Sequence, residues 1–195
     1  QYGEVYLRIE PLERGAGFKF VTKIVGGAIP SQYIPAVEKG LKETLTKGIL
    51  SNNPIVDVRV ELYDGSFHNV DSSEAAFKIA ASKAFHLAFN DAKPVLLEPV
   101  VNIEVTTPSE FMGEITGNLS SRRGRVQGMD SFGDLQVVQA SIPMDEVKNY
   151  ETELKSMTGG RGSYTMELSH YDIVPSHLVP KKKKWKKEER KKGRG

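Results

Sequence analysis

The sequence predicts an α+β protein built from two units. Three observations point there. Period-two alternation marks several short strands, and longer stretches with apolar residues three and four apart mark helices between them. Two prolines bracket a short apolar run, Lys93-Pro94-Val95-Leu96-Leu97-Glu98-Pro99. A residue before proline is pushed away from helix, so such a run reads as a joint between compact units.

In the first unit, Val5 to Ile9 and Phe18 to Val25 alternate as half-buried strands. The turn-prone Glu13-Arg14-Gly15-Ala16-Gly17 between them makes the pair read as a hairpin. After Gly26-Gly27 and Pro30, the residues Ile34, Val37, Leu41 and Leu45 recur at helical spacing, with Ser31 as the expected N-cap and Gly48 as the stop. The clearest strand follows: Val56, Val58, Val60 and Leu62 face one way, Asp57, Arg59 and Glu61 the other. Asp64-Gly65 is expected to turn the chain. Beyond Ser66 to Val70, the run Asp71-Ser72-Ser73-Glu74 has capping-box spacing. It opens a helix to about Asp91 whose apolar stripe is Phe77, Ala81, Ala84, Phe85 and Ala88.

In the second unit, Val101, Ile103 and Val105 alternate as a strand, and Ser109 is placed to cap a helix carrying Phe111, Met112, Ile115 and Leu119. Two strands follow, Arg125 to Met129 and Leu135 to Ile142. A helix from Met144 to Met157, with Val147, Tyr150 and Leu154 inward, and a strand Tyr164 to Tyr171 complete the order βαββαβ. That order is ferredoxin-like.

Composition narrows the function classes. Of the 195 residues, 38% are hydrophobic and 27% charged, and no apolar run approaches the ~20 residues of a membrane span. With no Cys there is no disulfide framework, thiolate nucleophile or Cys-based zinc site, which fits a reducing compartment. The net charge of +2 conceals an asymmetry: residues 181–195 hold ten Lys or Arg against Glu188 and Glu189, or +8, so the rest carries 17 basic and 23 acidic groups, or −6. A cluster of Lys181, Lys182, Lys183, Lys184, Lys186 and Lys187 around Trp185 reads either as a solvated terminus or as an RNA contact made through counterion release.

No G-x-x-x-x-G-K-[ST] loop is present to cradle phosphates, and Gly26-Gly27 and Gly159-Gly160-Arg161-Gly162 read as turns. His68, His86, His170 and His177 lack ligand spacing, so no metal site is expected, and no G-x-S-x-G elbow surrounds any Ser. No catalytic residue is therefore assigned. Two loops are suited to a partner. Asp64-Gly65-Ser66-Phe67-His68-Asn69 combines a turn, a ring, an imidazole and small polar groups, though an ordinary hairpin turn has the same chemistry. Arg122, Arg123 and Arg125, in Ser120-Ser121-Arg122-Arg123-Gly124-Arg125, can grip phosphate oxygens with planar forks or simply solvate a helix end.

Longer runs are more specific. Ile24-Val25-Gly26-Gly27-Ala28-Ile29-Pro30, Tyr33-Ile34-Pro35-Ala36-Val37-Glu38-Lys39-Gly40, and Tyr63 through Lys78 resemble the elongation factor G family. So do Lys93 to Pro99, Leu119 to Gly124 and Gly162 to Glu167; the resemblance covers roughly Gln1 to Tyr171.

The resemblance implies the fourth and fifth domains of a five-domain translational GTPase that moves tRNA and mRNA through the ribosome in the cytoplasm. Residues 1–97 would then form a ribosomal protein S5 domain 2-like unit with a left-handed βαβ crossover, where sequence reasoning alone favours a right-handed one. Residues 98–174 would form the ferredoxin-like unit and 175–195 a basic tail. The chain would need no cofactor, GTP and Mg belonging to an N-terminal part, and would act as a monomer. Its tip, Asp64 to Asn69 with His68 as the tip histidine, would enter the decoding site of the small subunit. Gln1-Tyr2-Gly3 resembles the trailing end of a second tip loop, so that the chain looks cut from something longer. Arg122, Arg123 and Arg161 would face large-subunit RNA near the GTPase-associated region.

The chain departs from the family at Phe67 and Asn69, where Tyr and Asp are common, and at Pro180 and Lys181 to Lys184, which interrupt a final helix. Trp185 is placed to stack on a base or to anchor the tail. A paralogue specialised for ribosome recycling, or a stand-alone RNA-binding protein, fits the same residues.

Overall fold

A computed structural model describes residues 1–50 and 52–180. Contacts divide the described chain into two compact units, parting between Val95 and Leu96.

The first unit contains β1 (Glu4–Pro11), β2 (Phe18–Thr22), α1 (Ile34–Lys47), β3 (Val58–Ser66) and α2 (Glu74–Asp91). Its sheet has the order β1-β3-β2, β3 running antiparallel to β1 and parallel to β2. Parallel neighbours need a crossover, and α1 supplies it. Val37, Leu41, Phe77, Ala81 and Phe85 of the helices pack on Val58, Val60 and Leu62 of β3 to form one core, with Val5, Leu7 and Ile9 at its margin. One face of the sheet is thus covered and the other open.

Four expectations for this unit are corrected. β1 and β2 form no hairpin, because β3 lies between them. The loop between them is held open by Asp57, whose Oδ1 accepts the amides of Gly15 (3.1 Å) and Gly17 (3.0 Å) and whose carbonyl accepts that of Leu12 (2.8 Å). Asp57 takes a left-handed backbone (φ 59°), so β3 starts at Val58 and Val56 is left 51% exposed. Asp64-Gly65 does not turn the chain. Both remain in β3 opposite Tyr6 and Val5, and the turn falls at Asn69–Asp71. A side chain at Gly65 would meet the Glu4 carbonyl at 2.4 Å and Ile29 Cδ1 at 2.5 Å, so only glycine lets β1 approach there. Finally, Ser31 opens a 3-10 turn (Ser31–Tyr33) instead of capping α1. Gly48 (φ 75°) ends α1 as expected, and Ser73 caps α2 by accepting the Ala76 amide (3.1 Å).

The second unit contains β4 (Leu97–Pro108), α3 (Met112–Ser121), β5 (Arg125–Phe132), β6 (Leu135–Pro143), α4 (Tyr150–Met157) and β7 (Ser163–Ile173), and begins at Leu96, two residues before 98. Its sheet order β5-β6-β4-β7 is the antiparallel ferredoxin-like arrangement. Val101, Ile103, Val105, Val138, Ala140 and Ile142 face Ile115, Leu119, Tyr150 and Leu154 of the helices.

The helix expected over Met144 to Met157 is broken. A 3-10 turn (Met144–Val147) gives way to extended Lys148 and left-handed Asn149 (φ 62°) before α4 begins, a conformation that Asn tolerates. Ser109 likewise opens a 3-10 turn, its hydroxyl donating to the Asp134 carbonyl (3.0 Å), and does not cap α3. No helix among the described residues is long and apolar enough to cross a membrane.

Candidate nucleic-acid interface

The loop between β3 and α2 carries Phe67, His68 and Asn69 at one end of the first unit, beside the entry to β1. One hydroxyl ties the two segments together. Ser72 Oγ accepts the His68 amide and donates to the Tyr2 carbonyl, both at 2.8 Å. The Ser72 amide returns to the His68 carbonyl (3.1 Å), and the Tyr2 amide to the Asp71 carbonyl (2.8 Å). Beneath them the Tyr33 hydroxyl donates to the Ser72 carbonyl (3.4 Å), while its ring stacks on Phe77 with centroids 4.9 Å apart. The loop is therefore anchored to the core through one aromatic pair.

His68 stands out from this clasp. Its Nδ1 lies 3.4 Å from both the Val70 amide and Asp71 Oδ2, and its ring meets Tyr2 edge-on with centroids 6.5 Å apart. Tyr2 and Ser66 share a 2.6 Å hydrogen bond between hydroxyls, and Asp64 accepts the Gly65 amide (2.8 Å). Phe67 is 40% exposed, and Gln1 and Asn69 are also open to solvent. Gly3 runs close to the start of α2, where a Cβ would sit 3.2 Å from backbone atoms of Ala76 and Phe77. The structure thus gathers Tyr2, Gly3, Ser66 and His68 into one tip. Sequence reasoning missed Ser72 and Tyr33, because a serine two places before a helix looks like a cap.

The arginines of the second unit have other partners. Arg123 sets its fork on the buried Glu98 carboxylate (2.7 and 3.1 Å) and its Nε on Glu146 (3.0 Å). The hydrogen-bonded Glu98 raises the Arg123 pKa against the opposing effect of burial, and Glu146 adds to it. Arg122 binds the Glu146 carbonyl and the Glu153 carboxylate, its guanidinium 5.6 Å from the centre of the Tyr150 ring. These two forks tie α3 to the strand and turn beside it rather than standing open to solvent. Arg161 pairs with exposed Glu110 (2.7 Å) over the Phe111 ring, and Arg125 is exposed on β5 with no ion pair among the described residues. The expectations for Lys181 to Lys184, Trp185, Lys186 and Lys187 lie outside the described residues.

Comparison with known proteins matches both units. The model of elongation factor G domain IV covers residues 1–93, and that of the elongation factor G C-terminus covers 95–182. The chain is 51% identical to elongation factor G of Aquifex pyrophilus over 181 residues, 93% of its own length and 26% of that relative's. A crystal structure of a Thermus thermophilus protein superposes with a TM-score of 0.84 at 44% identity, covering 96% of this chain and 28% of the other. The chain thus spans about a quarter of the length of the relatives it matches.

Proposed function

Because the chain belongs to the elongation factor G family, carrying its domain IV and C-terminal domain in order, we propose that it is the RNA-facing part of a factor that promotes movement of tRNA and mRNA through the ribosome in the cytoplasm. GTP and Mg would be held by a preceding GTPase part, and this chain supplies shape and hydrogen bonds. The observation that carries the reading is His68, an imidazole held outward on a loop clasped by Ser72 and Tyr2, with an exposed ring beside it. Such a tip fits against a nucleic-acid helix by contact with ribose and phosphate and needs no proton transfer. It would enter the decoding site of the small subunit, fill the space behind the moving codon–anticodon helix and bias that helix forward. Exposed Arg125 is the arginine of the second unit best placed to reach large-subunit RNA, since Arg122 and Arg123 are engaged by carboxylates.

Replacing His68 with Ala in the intact factor is expected to slow single-round translocation while ribosome-stimulated GTP hydrolysis stays near the parent rate. Unchanged translocation would remove the tip from the mechanism.

A further inference from the structure

The open face of the first sheet carries an organised set of charges apart from the tip. The register places Tyr6, Arg8 and Glu10 of β1 beside Glu61 and Arg59 of β3, with Lys19 and Val21 of β2 and the following Lys23 on the far side. Glu61 lies at the centre and its side chain is only 5% exposed, although it sits on the uncovered face. Three cations enclose it: Arg59 at 3.2 Å, Arg8 at 3.4 Å and Lys23 at 3.5 Å. Arg59 also binds Glu10 (2.8 Å), and Arg8 lies over the Tyr63 ring, 4.6 Å from its centre.

With Asp64, which stands opposite Tyr6, four cations against three carboxylates leave the patch at +1, and Glu4 lies beyond it toward the tip. Its outer members stay available, the side chains of Arg8 and Lys23 being 58% and 60% exposed. Lys19 is exposed and has no ion pair among the described residues. Arg8 is level with Val21, so Arg8 and Lys19 stand two strand spacings and two residues apart, about 12 Å, and Lys19 to Lys23 spans about 13 Å along the strand.

We propose that this face, with exposed Arg8, Lys19 and Lys23 beside Tyr63 and with Arg59 holding Glu61 beneath them, is a second RNA-binding surface that takes the phosphates of a folded RNA duplex. It rests on the reading that the first unit works against RNA, and it is separate from the His68 loop. The charge favours a polyanion, and Arg8 stacked on an exposed ring offers an aromatic wall beside the phosphate donors. Glu61 is the positioning residue: one carboxylate fixes three long side chains whose rotamer freedom would otherwise be lost on binding. Sequence alternation places Arg59 and Glu61 on one face, but only the pairing of β1 and β2 on either side of β3 brings in Arg8 and Lys23.

The test is a salt titration of binding to a 20-base-pair RNA duplex by the full 195-residue chain and its variants, with folding checked by circular dichroism. Lys19→Gln with Lys23→Gln is expected to lower affinity at least about tenfold at 0.1 M salt and to reduce the salt slope by between about one and two, at ~0.9 for each phosphate left unneutralised. Lys39→Gln with Lys47→Gln removes the same charge from exposed positions of α1 and should leave the slope unchanged. Glu61→Gln makes the face more positive yet releases its cations, and is expected to weaken binding; tighter binding would refute the positioning role. Equal slopes for the Lys19/Lys23 variant and the parent would overturn the surface itself, as would binding to an acidic protein surface in place of the duplex. The translocation assay of His68→Ala reads the tip, whereas the Lys19/Lys23 and Lys39/Lys47 pairs read this face, so failure here and failure of the tip remain distinguishable.

Discussion

Ser72→Ala removes a single hydroxyl, and the structure states what that hydroxyl does. It accepts the His68 amide and donates to the Tyr2 carbonyl, each at 2.8 Å, so the substitution deletes both bonds while the Ser72 amide keeps its bond to the His68 carbonyl. A neutral hydrogen bond contributes about 0.5–1.5 kcal/mol net, and water can replace part of it at this exposed site, so the pair together is worth about 1–2 kcal/mol. That corresponds to an increase of about five- to thirtyfold in the open population of the loop. The assay is amide hydrogen exchange at His68 in the 195-residue chain. Exchange should quicken by that factor in Ser72→Ala and return toward the parent rate in Ser72→Thr, which keeps the hydroxyl. A His68 amide that exchanges equally fast in parent and Ser72→Ala would refute the clasp.

Three further outcomes follow from the same geometry. Arg123→Lys keeps the charge but loses the two-point grip on buried Glu98, and is expected to cost the second unit about 2–3 kcal/mol in urea unfolding, leaving the transition of the first unit in place. Tyr150 is fully buried with a hydroxyl that has no hydrogen-bond partner among the described residues, so Tyr150→Phe should be neutral or stabilising within about 1 kcal/mol; a larger loss would mean the hydroxyl is satisfied. Burial disfavours the charged form of Glu61, but the Arg59 hydrogen bond together with Lys23 and Arg8 outweighs it and holds the carboxyl below its ordinary value of 4.5. Its stabilising contribution is therefore complete above that value and lost as pH falls through the lower folded one, and acid titrations of unfolding should show less loss of stability in Glu61→Gln than in the parent.

The second unit was legible almost element by element, since every strand and both helices announce themselves by local periodicity and their order βαββαβ points to the ferredoxin-like sheet. Its larger error, the helix from Met144, arose because apolar spacing persists through Lys148 and Asn149 while the backbone does not. The first unit was legible in its elements but not in their pairing.

Residue order by itself determined that there are two α+β units, that a basic cluster ends the chain, that phosphate-loop and thiol chemistry are absent from these 195 residues, and that His68 lies between a strand and a capped helix. The tertiary structure alone decided that β3 divides β1 from β2, that Ser72 joins Tyr2 to His68, that Glu98 claims Arg123, and that Glu61 gathers cations from three strands. The reason is physical. Periodicity reports which face of its own element a side chain occupies, whereas a carboxylate or hydroxyl takes its partner from whichever segment the sheet order brings within about 3 Å, and that choice is made across tens of residues.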